Sequence, residues 1–311
     1  RRRCVWRARS ACCCCCCCCC CCFPFRSPPL SLSLARGSQP LVCASPLSHL
    51  CFSLSSLARA LQKNTRAAII AALKFCITAP QQSSSLDAVF APLVPDIARR
   101  LEDEELDVVH ATLLTLNVIA HHKPALLRAH FSCVGGPWAM IYDHMHVKKE
   151  LKRSVDLGPF KKKVDDGLVI RKAAFTCVHT MLTSMRNCVD VSGFMDLLCS
   201  GLHDVQDIRT QCHAIVGTLC AVFPMRTLES SDAILKLLTK TAKVKMKEGV
   251  GTEEQRRYNL ISSAVRAINL IGALPTATAS RVLQDALAAV EGRPETKAML
   301  ASIQAERGDK A

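Results

Sequence analysis

The stretches LEDEELDVVH (101–110), VDDGLVIR (164–171) and LHDVQDIR (202–209) repeat one order of residue types: an acidic turn, an aliphatic residue, a basic residue and an apolar segment. Arg171 and Arg209 are 38 residues apart, and His110 precedes Arg171 by 61. A period near 40 residues with two helices per unit is typical of HEAT and armadillo repeats. We therefore predict an all-α solenoid of the HEAT/armadillo type with one insertion. A non-repetitive helical bundle is the alternative.

The repeat also predicts specific contacts. An acidic side chain at the start of a helix can accept hydrogen bonds from free backbone N–H groups and interacts favourably with the helix dipole. We expect each acidic turn to cap the helix that follows it. We expect each arginine to reach the acidic turn of a neighbouring repeat and form a ladder. His110 replaces the arginine in the first copy, so that contact should be weaker.

Six segments place apolar residues three and four positions apart, which is the spacing of one helix face. These segments are 64–79, 86–101, 106–121, 167–185, 205–223 and 253–272. Pro80 should end the first segment, and Pro92 and Pro95 should kink or shorten the second.

The composition sets the broad class of the protein. Of the 311 residues, 50% are apolar and 5% aromatic, which excludes a chain disordered throughout and disfavours a β-sandwich or barrel. The net charge is +14, but residues 1–60 contain eight arginines and no Lys, Asp or Glu. The charge of the remaining chain is only +6, so the basic balance is weak evidence for nucleic-acid binding, and we expect none.

Residues 1–61 consist mainly of Arg, Ser, Leu, Pro and the cysteine run Cys12–Cys22. A signal peptide, a transit peptide and a translated microsatellite each fit part of this composition. We interpret the segment as disordered, low-complexity sequence that is not native to the folded protein. No run reaches the ~20 apolar residues of a membrane-spanning helix, so no membrane association is expected. The predicted repeat domain is then 62–305, followed by a tail at 306–311.

One segment departs from the helical pattern. In LKRSVDLGPFKKKVDD (151–166), apolar and polar residues alternate on both sides of the turn signal Gly158–Pro159. This pattern predicts a β-hairpin at about 151–166, with a solvated loop as the alternative. Its apolar tip and basic rim suit a protein partner with an acidic surface. The candidate partner-binding residues are Val155, Asp156, Leu157, Gly158, Pro159, Phe160, Lys161, Lys162 and Lys163.

The sequence contains no G-x-x-x-x-G-K-[ST], G-x-S-x-G or H-E-x-x-H motif. The pairs His121–His122 and His144–His146 lack companion ligands at zinc spacing. We therefore expect no enzymatic activity, no catalytic residue, no metal site and no cofactor. Seven cysteines follow residue 60, mostly within apolar helical patterns, where buried reduced thiols are common.

Three stretches resemble a known family. HHKPALLRAH (121–130), KKELKRSVDLGPFKKKVDDGLVIRKAAF (148–175) and LHDVQDIRTQ (202–211) are similar to the C-terminal end of the cullin-associated, neddylation-dissociated proteins. That end is also described as a TATA-binding-protein-interacting domain. The resemblance covers roughly 62–300, and its most specific block is GPFKKKVDDGLVIRKAAF.

The resemblance implies a non-catalytic HEAT solenoid that wraps an unneddylated cullin–RING scaffold. In that family a β-hairpin projects into the site on the cullin N-terminal domain where the substrate-receptor adaptor docks. One adaptor is thereby displaced and another can bind, which promotes receptor exchange in SCF-type ubiquitin ligases. The hairpin corresponds to about Leu151–Asp166, with adaptor competition at 155–160. The implied location is cytoplasmic and nuclear, and TATA-binding protein is a further implied partner.

Departures from the family leave other functions open. The chain matches only the last quarter or so of the family's length, so we expect it to bind weakly or not at all by itself. FSCVGGPWAMI (131–141) does not match, and its Gly-Gly-Pro should break a helix, so we interpret it as an insert. The alternatives are a generic helical scaffold and a transcription- or nucleic-acid-associated HEAT protein that uses the basic stretches 148–172 and 236–247.

Overall fold

Helices dominate this computed structural model, which describes residues 63–78, 84–131, 136–156, 158, 160–246, 251–275, 277 and 280–308. The helices are α1 Lys63–Thr78, α2 Ser84–Phe90, α3 Val94–Arg99, α4 Leu106–His122, α5 Pro124–Arg128, α6 Pro137–Asp143, α7 Leu168–Ser184, α8 Val191–Gly201, α9 Gln206–Val222, α10 Pro224–Glu229, α11 Ser231–Ala242, α12 Thr252–Gly272, α13 Arg281–Glu291 and α14 Pro294–Gly308. The strands are β1 Lys152–Asp156 and β2 Lys161–Asp165. The segment interpreted as non-native, 1–61, lies outside the described residues.

The long helices form one layer and the shorter helices a second. In chain order, α1, α4, α7, α9 and α12 each pack on the next, and α14 packs on α12. In the second layer α8 packs on α11 and α11 on α13, while α11 also packs on α12. The predicted all-α solenoid of the HEAT/armadillo type, with one hairpin inserted between α6 and α7, is confirmed.

The apolar stripes found in the sequence face the core of this stack. On α4 the predicted stripe residues Val109, Leu113, Leu116 and Ala120 are all buried. The observed bounds of α1, α4, α7, α9 and α12 agree with the predicted segments within one residue at each end. Apolar periodicity was sufficient for these helices because each is long enough to show several turns of one buried face.

The second predicted helix is divided, as its prolines suggested. A 3-10 turn at Ala91–Leu93 separates α2 from α3. Pro92 lies at the start of the 3-10 turn, and Pro95 lies in the first turn of α3. Proline is tolerated there because the first backbone N–H groups of a helix have no partner within it.

The segment 131–141 is divided at the predicted break, since α5 ends at Arg128 and α6 begins at Pro137. Trp138 nevertheless lies in the core at 2% exposure. Its ring is 5.3 Å from the ring of Phe131, edge to face, and 5.8 Å from that of Tyr142. The stretch that we interpreted as an insert therefore supplies an aromatic cluster to the core.

The last helix extends beyond the predicted domain end at 305 and runs to Gly308. Glu306 lies 3.1 Å from Arg266 of α12, and this ion pair holds the end of α14 against the stack. The helix therefore includes part of the segment that we interpreted as a tail. Among the described helices, none has the length and apolar character needed to cross a bilayer.

Candidate functional site

The predicted hairpin is present. Strands β1 and β2 are antiparallel, with Lys152 opposite Asp165 at the base and Asp156 opposite Lys161 near the tip. The described strands together extend from Lys152 to Asp165, one residue inside each predicted bound. Two candidate residues of the tip, Leu157 and Pro159, lie outside the described residues.

The two faces of the hairpin differ in character. Opposite residues of antiparallel strands share a face, so Val155 lies beside Lys162. The other face carries Ser154 opposite Lys163 and Asp156 opposite Lys161. Of the strand residues, only Val155, Val164 and Asp165 are half-buried, and the others are exposed. The hairpin therefore stands out from the helices and presents its side chains to solvent.

The tip of the hairpin is shaped by a glycine and an aspartate. Gly158 has φ of +83°, a left-handed conformation that glycine adopts without steric cost. Its N–H donates to Oδ1 of Asp156 at 3.1 Å, which closes a side-chain-capped turn. Next to the turn, Phe160 is 74% exposed. An aromatic ring this exposed on a projecting hairpin is a candidate anchor for a partner.

The root of the hairpin is cross-linked by charge. Arg153 of β1 donates to both carboxylate oxygens of Asp166, at 2.6 and 3.3 Å. Donation to the Asp166 carboxylate raises the pKa of the Arg153 guanidinium above its usual value. The N–H of Asp166 also donates to the carbonyl of Leu151 at 3.1 Å. These contacts fix the point where the hairpin leaves the solenoid.

The last residue of β2 belongs to a buried ion-pair network. The side chain of Arg171, only 2% exposed, lies between two carboxylates. Its Nε donates to Asp204 at 2.8 Å and its Nη2 to Asp165 at 3.0 Å. Burial alone lowers the pKa of Arg171, but the two hydrogen-bonded carboxylates raise it above its usual value. The predicted reach of an arginine to the acidic turn of the next repeat is confirmed here, and it ties the hairpin to the stack.

An equivalent contact that the repeat pattern did not predict lies nearer the start of the described residues. Arg66 of α1 donates to Oδ1 of Asp103 at 2.8 Å, 37 residues further along the chain. A weak signal was present, because Arg66 precedes an apolar helical segment as Arg171 does. The ladder therefore starts one repeat earlier than predicted.

The acidic residues do not cap the helices in the predicted way. Asp103, Asp165 and Asp204 accept from the N–H groups of residues 105, 167 and 205, which themselves precede the first helical residue. They lie one or two positions before the residue that precedes the helix, and each carboxylate also accepts a hydrogen bond from an arginine. The structure assigns side-chain caps instead to Asp190 on α8 and Ser280 on α13.

The first copy of the repeat has another register than the one we predicted. The backbone N–H groups of Arg171 and Arg209 each donate to the carbonyl of the residue just before their helix. In α4 the N–H of Val109, and not that of His110, donates to the carbonyl of the residue just before the helix. Val109 thus occupies the arginine position. Beside it is a cavity of about 140 Å³, lined also by Leu106, Leu151 and Arg171.

Most of the described cysteines are at least partly withdrawn from solvent, and the chain shows no metal cluster in the ranges that the structure describes. Within the described ranges, no group of three or more His, Cys, Asp or Glu side chains could hold a metal ion. Cys177, Cys212 and Cys220 are buried, while Cys76 is exposed, contrary to the general expectation for these cysteines. Burial raises the pKa of the Cys177 thiol to about 12 and that of Cys220 to about 11. These thiols therefore behave as packing groups.

Fold and site together define an α-solenoid of the armadillo and HEAT class that carries one projecting hairpin. A designed armadillo repeat protein solved with the peptide (KR)4 matches it with a TM-score of 0.54 at 11% identity, over 81% of this chain and 97% of that one. A computationally designed armadillo repeat protein for modular peptide recognition matches with a TM-score of 0.53 at 13% identity. The match covers 83% of this chain and 97% of that one. At such identities the likeness extends to the fold alone.

Sequence relatives identify the family. The family model described as TATA-binding protein interacting (TIP20) matches residues 137–291, which include the hairpin. Cullin-associated NEDD8-dissociated protein 2 of Mus musculus is 32% identical over 244 residues, which are 78% of this chain and 19% of that protein. Cullin-associated NEDD8-dissociated protein 1 of Dictyostelium discoideum is 37% identical over 212 residues, which are 68% of this chain and 17% of that protein. The protein named cullin-associated NEDD8-dissociated protein 1, C-terminal part, of Emericella nidulans is 31% identical over 204 residues. These residues are 65% of this chain and 19% of that protein.

The chain belongs to the family of cullin-associated NEDD8-dissociated proteins, as the resemblance indicated. It spans about a fifth of the length of the curated relatives it matches.

Proposed function

We propose that this chain is a non-catalytic cullin-binding assembly factor. It binds an unneddylated cullin–RING scaffold, and its hairpin competes with the substrate-receptor adaptor for the docking site on the cullin N-terminal domain. Such competition promotes receptor exchange in SCF-type ubiquitin ligases, in the cytoplasm and the nucleus. The names of the relatives support the cullin as partner, and the helical-repeat fold supports a role in binding rather than catalysis.

The observation that carries this proposal is the exposure of Phe160, 74%, on a hairpin that stands off the solenoid. Full burial of a phenylalanine side chain against a partner stabilises a complex by about 2 kcal/mol. That energy corresponds to about 30-fold in Kd. The exposed lysines at 161–163 follow this residue directly in the chain, and their positive charge favours approach to an acidic surface.

The anchoring of the hairpin supports the same role. A partner that docks on a mobile loop has to order it, which costs binding free energy. Here Asp165 and Asp166 at the end of the hairpin are held by Arg171 and Arg153. The contact of Asp165 with Arg171 therefore restricts the base of the hairpin before a partner arrives.

A competition titration tests the proposal. A fluorescent adaptor is bound to the unneddylated cullin N-terminal domain, and the full chain is titrated to its highest soluble concentration. Because the chain spans only part of its relatives and should bind weakly by itself, we expect wild type to release the adaptor only towards the top of this concentration range. The variant in which residues 155–160 are replaced by a Gly-Ser linker of equal length should not do so. Equal release by both proteins, or by neither, would contradict the proposal.

A point substitution with a matched control isolates the aromatic anchor. Phe160→Ala should raise the concentration needed for half-release about 30-fold, since the buried apolar area is lost. Phe75→Ala is the control, because Phe75 is 68% exposed but lies on α1 rather than on the hairpin. An equal effect of the two substitutions would remove the anchor role from Phe160.

TATA-binding protein is a second candidate partner. The family model that matches residues 137–291 is described as interacting with it, and the match includes the basic hairpin. The same variants assayed with immobilised TATA-binding protein separate the two cases. Capture of TATA-binding protein without adaptor release favours a transcription-associated role, and capture of neither partner leaves a generic helical scaffold.

A further inference from the structure

The hairpin carries a single hydroxyl group. Ser154 is the one Ser, Thr or Tyr residue between positions 151 and 166. It occupies the middle of β1 and is exposed. Both strands of this two-stranded sheet are edge strands, so β1 is an extended segment that another protein can approach from the side.

Three lysines surround this hydroxyl on the same face of the hairpin. Lys163 lies directly opposite Ser154, Lys161 is its diagonal neighbour and Lys152 is two residues earlier on the same strand. Opposite Cβ atoms in such pairs are about 5 Å apart and diagonal ones about 7 Å, which long side chains can bridge. None of these lysines forms an ion pair within the described part of the chain.

The acidic neighbours on that face make other contacts, although Asp156 also lies opposite Lys161. Asp165 is paired with Arg171, and Asp156 accepts the Gly158 N–H. On the opposite face, Arg153 is paired with Asp166. The hairpin thus holds three unpaired cations around one hydroxyl, and these cations could form charge-assisted hydrogen bonds with an added dianion.

We propose that Ser154 is a phosphorylation site and that Lys163, Lys161 and Lys152 receive the phosphate. The acceptor is preceded by a basic run, KKELKR (148–153), which complements the acidic substrate cleft of a basophilic protein kinase. In the transfer, Ser154 Oγ attacks the γ-phosphorus of ATP and the bond to ADP breaks. The hydroxyl proton passes to the base of the kinase.

The phosphate changes both the charge and the rigidity of the hairpin. Residues 151–166 contain five basic and three acidic side chains. A phosphoserine of about −2 cancels that excess. It also links β1 to β2 through Lys163. If the proposed cullin function holds, the modification weakens attraction to an acidic partner surface, but the site itself does not depend on that function.

The first experiment asks whether the site is used. The full chain is incubated with ATP and the catalytic domain of protein kinase C, and phosphates are located by tandem mass spectrometry. A peptide of residues 148–156 confirms that the kinase accepts the sequence. We expect phosphate on Ser154 of the chain and none at that position in Ser154→Ala. A phosphorylated peptide with an unmodified Ser154 in the chain would overturn the proposal, and so would an unmodified peptide.

The second experiment asks whether the lysines receive the phosphate. Amide hydrogen exchange in β1 is compared before and after phosphorylation, in wild type and in Lys161→Ala/Lys163→Ala. We expect phosphorylation to slow exchange about two- to fivefold in wild type, the range that exposed ion pairs supply. The lysine variant should show no slowing. Unchanged exchange in wild type, or equal slowing in both proteins, would overturn the receptor role of the lysines.

Discussion

Substitution of Arg171 by alanine tests the contact that joins the hairpin to the solenoid. The change removes a guanidinium that is 2% exposed and leaves Asp165 and Asp204 without their shared partner. Asp204 is 7% exposed and Asp165 is 17% exposed, so neither carboxylate recovers full hydration. An uncompensated buried charge is among the most destabilising results of a single substitution.

The expected loss follows from this burial. Removal of one partner of a buried ion pair costs 3–5 kcal/mol in general, and the partial exposure of Asp165 favours the low end, about 3 kcal/mol. The adjacent residue provides a matched control. Lys172 contacts Asp207 at 2.8 Å, but these side chains are 46% and 51% exposed. Lys172→Ala should therefore cost less than about 1 kcal/mol.

The measurement is urea denaturation of the full chain under reducing conditions, followed by circular dichroism. At an unchanged m-value, the shift of the midpoint gives the change in the free energy of unfolding. The triple variant Arg171→Met, Asp165→Asn and Asp204→Asn should recover most of the loss, because it leaves no buried charge. Equal midpoint shifts in Arg171→Ala and Lys172→Ala would refute the claim that burial makes this contact strong.

Three further predictions concern other parts of the chain. Burial, followed by the charge of Arg209, lowers the pKa of His213 to about 4 from 6.5, so the unfolded chain binds a proton that the folded chain does not. The free energy of unfolding should fall by up to about 3 kcal/mol as the pH drops from 6.5 to 4. His213→Gln should flatten that slope in urea titrations, and an unchanged slope would argue against His213 as its source. Gly158→Val should cost about 1–2 kcal/mol locally, because φ of +83° is strained for a β-branched residue. Hydrogen exchange should then accelerate in the hairpin and not in α4, and uniform acceleration would contradict a local effect. Cys76 should react with iodoacetamide much faster than Cys177 when modification is read peptide by peptide, because it is exposed and Cys177 is fully buried. Similar rates at the two thiols would show that the packing around Cys177 opens readily.

Much of the architecture was accessible from local patterns. The stripe on α4 and the alternation around Gly158 depend only on neighbouring residues, and both predicted the observed elements within a residue or so. The shorter helix α8 at Val191–Gly201 was missed, although Val191, Phe194 and Leu198 have the spacing of one helix face. The family was also accessible, because the block at 158–175 is specific in its residues.

The sequence alone determined that amphipathic helices stack in repeats and that a basic hairpin interrupts them, because periods of two and of 3.6 residues are written in the order of residue types. Only the tertiary structure decided which charges matter. Arg171 and Lys172 are neighbours in the chain, yet one is buried between two carboxylates and the other is in solvent. That difference depends on how α7 and α9 pack. Burial is set by contacts between residues far apart in sequence, and the pattern of a single segment does not contain them.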